Sequence, residues 1–341
     1  MKVLLPFIAV SCLAGAIAVA DEVPKPVLVD VQRIWDKAPH NGFTDLIRFK
    51  GRWYCTFREG AGHVSHDGVL KVIASDDGRN WESVATFESR RGWDMREAKF
   101  SIMPDGRLML VGCEGNRQML PPKHQSLVWF TSDGKQWTEQ VPVADPDFWL
   151  WRGKWHKGKG YFFGYGCRAD NRSIRLYRTT DGRTFNTLVE KIPVEGTYPN
   201  ETSVLFLPDD TCYCLLRQDG KPNSGYIGKS QPPYCEWTWK KLGVRIGGPN
   251  MLRLPDGRLV AVVRRYQSRS RPVRTVLYWL DPEKGTLTEA LELPSGGDCS
   301  YAGMVWHEGL LWISYYSSHE ATTSIYLARV KFERRGGRTN D

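Results

Sequence analysis

Short apolar runs, each closed by a tight polar turn and followed by a second apolar run, recur along the whole chain. The unit reads "TDLIRFKGRWYCTFRE", then "AKFSIMPDGRLMLVGCE", then "WLWRGKWHKGKGYFFGYG". It returns as "TSVLFLPDDTCYCLLRQ", "PNMLRLPDGRLVAVVRR" and "AGMVWHEGLLWISYYS". Little of the chain has helical periodicity, and the runs are rich in β-branched and aromatic residues, so each unit predicts a β-hairpin. Glycine at the turns supplies the positive φ that a tight hairpin needs. Counted from Gly51, Gly106, Gly158, Asp210, Gly257 and Gly309, the intervals are 55, 52, 52, 47 and 52 residues. Such even spacing marks a repeat architecture.

A second element lies between the hairpins. "SDDGRNW" (75–81), "TSDGKQW" (131–137) and "TTDGRTF" (179–185) share an Asp-Gly pair and an aromatic residue three positions after the glycine. The carboxylate is suited to accept backbone N–H groups within the turn while the ring packs beneath it. Each of the first three units then reads as four strands, and six units of this length arranged radially predict an all-β, six-bladed β-propeller. A two-sheet sandwich would leave the six equal periods unexplained. The last unit has only three strands, so "PVLVDVQRIW" near the N-terminus is expected to supply the fourth and close the ring, with residues 27–35 pairing with 323–332.

The opening "MKVLLPFIAVSCLAGAIAVA" has one lysine, a long apolar run and Ala18-Val19-Ala20 before Asp21, the pattern of a secretory signal peptide cut after Ala20. A single domain over 21–341, secreted or periplasmic, is the expectation. No later apolar run reaches the ~20 residues of a membrane helix, so stable membrane insertion is not expected. Seven of the eight cysteines follow the leader, an odd number, and Cys212 and Cys214 point the same way along a strand. No spacing suggests zinc, and neither a metal nor an organic cofactor is expected. The net charge of +9 is spread along the chain, without a nucleic-acid motif. A glycan is the expected partner, met by a monomer.

In a propeller the first strand of each blade lines the central channel, so its beginning and the end of the second strand share one rim. That rim is predicted to carry Asp45, Arg58, Asp94, Arg96, Glu97, Glu201, Arg217, Asn250, Arg264, Arg265, Asp298 and Tyr301, and loops after second strands add His63, Asp67 and Arg274. Ionisable groups of both signs converging on one funnel point to a binding or catalytic site.

These segments resemble the sialidase superfamily of glycoside hydrolases, six-bladed propellers with Asp-box turns, and the resemblance covers essentially the whole mature chain. "YPNETSVLFLPDDTCYCLLRQ" is similar to the family's Asn-Glu segment, followed by a strand ending in a carboxylate-binding arginine. "DCSYAGMVW" is similar to the segment holding the nucleophilic tyrosine. The resemblance therefore implies Tyr301 as nucleophile with Glu201 as its base, and Arg217 and Arg274 as arginines that grip a substrate carboxylate. It implies Asp67, or else His63, as the acid/base. The first blade departs from the pattern, because "HNGFTDLI" has no arginine where one of the three is expected. Arg58 or Arg96 would take its place, with Asp45, His63, Asp94, Asn250 and Arg265 completing the binding set.

The implied activity is hydrolysis of a terminal, acidic sugar by an exo-glycosidase of sialidase type. Two other readings stay open at this point: a glycan-binding propeller without catalysis, and a polysaccharide lyase using Tyr301 and a histidine.

Overall fold

The computed structural model describes residues 23–118, 121–268 and 271–333, and the expected leader lies outside them. Six four-stranded antiparallel sheets form the blades of a propeller. The inner strands are His40–Phe49, Asp94–Ile102, Phe148–His156, Tyr198–Phe206, Ile246–Arg253 and Cys299–His307, in blades one to six. Each packs against the inner strand of the next blade, and that of blade six meets that of blade one. No helix in the described residues is long and apolar enough to cross a membrane.

Ring closure is as expected. The N-terminal strand Lys25–Trp35 is the outer strand of blade six, pairing antiparallel with Ser324–Glu333, with Val27 opposite Lys331 and Trp35 opposite Ile325. Arg329 locks this seam by donating its Nε to Asp30 Oδ1 at 2.7 Å.

The Asp-Gly turns also follow the reading of their residues. Asp77 Oδ1 accepts the backbone N–H groups of Arg79 and Asn80 at 2.8 and 2.9 Å, and Asp133 and Asp181 repeat the arrangement. Those hydrogen bonds from the Asn80 and Arg79 amides hold the exposed Asp77 carboxyl well below the usual range.

Cores lie between adjacent blades, where the sheet faces meet. One joins Tyr54, Leu70 and Val72 of blade one to Leu108, Leu110 and Trp129 of blade two. Across the seam, Trp53 of blade one packs on Trp312 of blade six with ring centroids 4.3 Å apart. All seven described cysteines are free, five of them buried, so packing holds the blades together without cross-links.

Candidate active site

Every inner strand carries a bulge, two residues facing one on its hairpin partner. The unpaired pairs are Phe43-Thr44, Glu97-Ala98, Trp151-Arg152, Asn200-Glu201, Gly248-Pro249 and Tyr301-Ala302. A bulge bends its strand and re-aims the extra side chain. Here six of them form a layer around the channel, which is why residues so far apart in sequence meet. Phe43, Glu97 and Tyr301 hold φ of 66°, 54° and 53°, a left-handed backbone that non-glycine residues seldom adopt. Such conformations persist only where the surroundings over-determine them.

Tyr301 and Glu201 meet in this layer. The phenol donates to Glu201 Oε1 at 2.5 Å, and Arg217 Nη1 donates to the same carboxylate oxygen at 2.6 Å and to the phenol oxygen at 3.0 Å. The second oxygen, Oε2, accepts the backbone N–H of Gly248 at 2.7 Å. Gly248 is required here. Its φ is +56°, and a Cβ would lie 2.6 Å from Tyr301 Cδ2. Burial, then the Glu201 charge, pushes the Tyr301 phenol well above its ordinary pKa. The phenol is therefore protonated at rest, with the Glu201 carboxylate placed to accept its proton.

A second cluster centres on Asp298. Its Oδ2 receives His63 Nδ1 at 2.6 Å and His40 Nε2 at 2.9 Å. Its Oδ1 receives Arg264 Nη2 at 3.0 Å and the Tyr316 phenol at 2.8 Å. Burial works to raise the Asp298 carboxyl, but hydrogen bonds from His40 and His63, with the charges of His63 and Arg264, hold it far below the carboxylate range. An ionised carboxylate only accepts, so both imidazoles turn an N–H toward it. The buried ring of Phe43 separates this cluster from the Tyr301–Glu201 pair, 5.0 Å from the His63 ring and 5.2 Å from Tyr301.

Three guanidiniums gather at Tyr266: Arg245 at 3.7 Å from the ring centroid, and Arg217 and Arg264 each at 5.9 Å. The Tyr266 hydroxyl is buried and has no hydrogen-bond partner among the described residues. Beneath the site, Arg152 pairs with Asp45 and donates to Ala302 O at 2.6 Å. Lys99 Nζ reaches the Thr44 and Phe43 carbonyls at 3.2 and 3.4 Å, with no carboxylate in ion-pair contact among the described residues. Burial, followed by repulsion from Arg152, pushes Lys99 down to about 7.

Of the predicted set, the structure brings Tyr301, Glu201 and Arg217 together, and His63, Asp298 and Arg264 beside them across Phe43. Arg58 is sealed from solvent, donating to Asp94, Gly62 O and Ser65, so it touches no substrate. Asp94 is equally buried, a hub for Arg58, Arg96 and Arg117. Arg96 lies against Phe43 and donates to the His63 carbonyl at 3.0 Å, which makes it a support for that loop. Asp45 accepts the Phe100 N–H at 2.8 Å and Asn250 ties Ser203 to the Ala302 carbonyl, both within the wall of the channel.

Arg265 points away. It pairs with Glu289 and Glu292 on its own blade, while its neighbour Arg264 faces the site, since adjacent residues of a strand take opposite faces. Arg274 donates to the Val273 carbonyl and lies near Gly296. Asp67 accepts the Ala61 N–H in an exposed loop; its hydrogen bonds with Ser65 and Ala61 lower its pKa, the reverse of what a general acid requires. His40 stands in the segment expected to hold an arginine. Its role had no signal in the sequence beyond its place at the start of the inner strand.

No protein-family model matches this chain, and no curated protein matches it in sequence. Solved structures do match in fold. A protein of unknown function from Dyadobacter fermentans is 20% identical with a TM-score of 0.77, over 91% of this chain and 100% of that one. The α-L-arabinofuranosidase of Fusarium graminearum, solved with arabinobiose, is 15% identical with a TM-score of 0.68, over 89% of this chain and 98% of its own. The sialidase of Trypanosoma rangeli is 14% identical with a TM-score of 0.65; the match covers 90% of this chain and 60% of that one. These likenesses are to the six-bladed propeller itself, a fold these glycoside hydrolases share.

Proposed function

We propose that the protein is an exported exo-glycosidase that releases a terminal anionic sugar by way of a covalent intermediate on Tyr301. The observation that carries this reading is the 2.5 Å hydrogen bond from the Tyr301 phenol to Glu201, with Arg217 on both oxygens. As the phenol oxygen attacks the anomeric carbon, its proton passes to Glu201 Oε1. The Gly248 N–H and Arg217 hold that carboxylate in place. A tyrosine nucleophile keeps a bare carboxylate away from an anionic sugar, and water then releases the sugar with retention of configuration.

Anionic specificity is supported by the guanidiniums around Tyr266, since arginine forks match the geometry of a carboxylate. A neutral pentose is the second reading. The arabinan-type ligand of the Fusarium structure favours it. The test is hydrolysis of aryl glycosides of N-acetylneuraminic acid, glucuronic acid and L-arabinose, with trapping by the matching fluorosugars and mass spectrometry of the labelled peptide. Label on Tyr301 is the expected result. Label on another residue, or absorbance of an unsaturated product from acidic polysaccharides, would replace this reading.

A further inference from the structure

We propose that His63, oriented by Asp298, is the proton donor to the leaving group, and that His40 and Arg264 hold the Asp298 carboxylate in place for that task. The inference rests on the glycosidase reading above and assigns the half of the reaction that Tyr301 and Glu201 leave open.

Geometry separates the two ring nitrogens of His63. Nδ1 lies 2.6 Å from Asp298 Oδ2, so it carries a proton and donates it to that oxygen. Nε2 makes no hydrogen bond among the described residues, and the side chain is 46% exposed, the most accessible member of either cluster. A buried or half-buried aspartate on Nδ1 with Nε2 open to substrate is the arrangement by which a carboxylate sets the tautomer and stabilises an imidazolium. The charged groups facing His63 are Asp298 and Arg96, whose guanidinium meets its carbonyl at 3.0 Å. The His40 ring sits 5.5 Å away, edge-on.

The placement suits the chemistry. His63 and Tyr301 flank the same Phe43 ring, on blades one and six. Tyr301 is buried and His63 is the more exposed of the two, so a bound sugar would have the nucleophile on its inner side and the donor at its outward, leaving-group edge. In the first step the His63 Nε2–H proton passes to the glycosidic oxygen as its bond to the anomeric carbon breaks and the Tyr301 oxygen bond forms; the phenol proton goes to Glu201. In the second, neutral His63 takes a proton from the attacking water, the sugar–tyrosine bond breaks, and Glu201 returns its proton to the phenol oxygen. Atoms and protons balance over the cycle.

His40 Nε2, His63 Nδ1 and Asp298 also lie close enough together to suggest a cation site. The surroundings oppose one. His40 Nδ1 is buried without a partner, so a metal on Nε2 would leave the other ring N–H unsatisfied, and the Arg264 guanidinium is already 3.0 Å from the carboxylate.

Leaving-group dependence tests the assignment, because a good leaving group needs no proton. His63→Gln is expected to lower kcat/KM on methyl glycosides of the sugars named above by a factor on the order of 10² or more. On the dinitrophenyl glycosides of the same sugars the loss should be at least about tenfold smaller, with an unchanged melting temperature. Asp298→Asn should show the same contrast in milder form. An equal loss on both substrate types, the contrast appearing in Asp67→Asn instead, or activity abolished by a chelator and restored by a divalent metal would each overturn the role of His63. Tyr301→Phe, run on the same substrates, keeps the two readings apart: full activity there removes the nucleophile reading, whatever His63 does.

Discussion

Tyr301 and Glu201 are 100 positions apart in the chain and share a 2.5 Å hydrogen bond, because each stands on the bulge of its own inner strand. Tyr301→Phe removes the phenol and leaves the Arg217–Glu201 pair intact, at 2.6 Å. The expected outcome is a fall in kcat by a factor on the order of 10² or more with little change in melting temperature. Steady-state kinetics beside calorimetry decide it: lost stability with retained rate would make Tyr301 a packing residue.

Arg217 spans Glu201 and Asp219, at 2.6 and 2.8 Å from two different nitrogens. A lysine ammonium cannot occupy both positions, so Arg217→Lys should raise KM on an anionic substrate by about tenfold or more. Arg265→Lys is the matched control. Its partners are on the blade surface, and KM should stay where it is.

Gly248 lies against Tyr301, in a gap that only glycine leaves. In Gly248→Ala the new Cβ would fall 2.9 Å from the Tyr301 Cα and closer still to its ring, on a backbone already at φ +56°. We expect a loss of about 1–3 kcal/mol in stability, as for an overpacked core, and a larger fractional loss of kcat than the destabilisation explains. A variant with normal kinetics would show that the Gly248 backbone can move away from Tyr301 at no cost to catalysis.

Lys99 should make stability depend on pH above neutrality. In the unfolded chain a lysine keeps its proton to about 10.4. Burial in the folded protein pushes Lys99 down to about 7. Between these values the unfolded chain binds more protons, so the contribution of this group to stability rises with pH, and its penalty is fully present below about 7. Lys99→Met should be more stable than the parent at pH 6, with the difference shrinking toward pH 10. Urea titrations of both proteins across that window measure it; a constant difference would place the Lys99 titration outside the window.

The blades were legible because their signals are local and repeated. Turn residues such as Gly106 and Gly257, and the carboxylates of Asp77, Asp133 and Asp181, behave as their chemistry requires. The missing fourth strand of the last unit was enough to place residues 27–35 against it. The site was legible only in part, because the bulges leave no mark in the apolar pattern of a nine-residue strand. Each bulge changes which later side chain faces inward, so Asp45 and Asn250, read as rim residues, belong to the channel wall. Nor does the chain show where a charge finds its partner. Arg58 and Arg217 both end second strands, yet one is closed off around Asp94 and the other meets the Tyr301 phenol.

The seam that joins the two ends of the chain also runs through the site. Tyr301 and Asp298 belong to blade six, whereas Phe43, His40 and His63 belong to blade one. Asp30 waits for Arg329, 299 positions later, before that junction is tied. During synthesis, then, Lys25–Trp35 emerges long before its partner strand Ser324–Glu333, and His40, Phe43 and His63 of blade one emerge long before Asp298 and Tyr301 of blade six. On the proposed reading, activity is a report on the finished circle: its recovery on refolding should follow the packing of blade six against blade one and not the formation of individual blades.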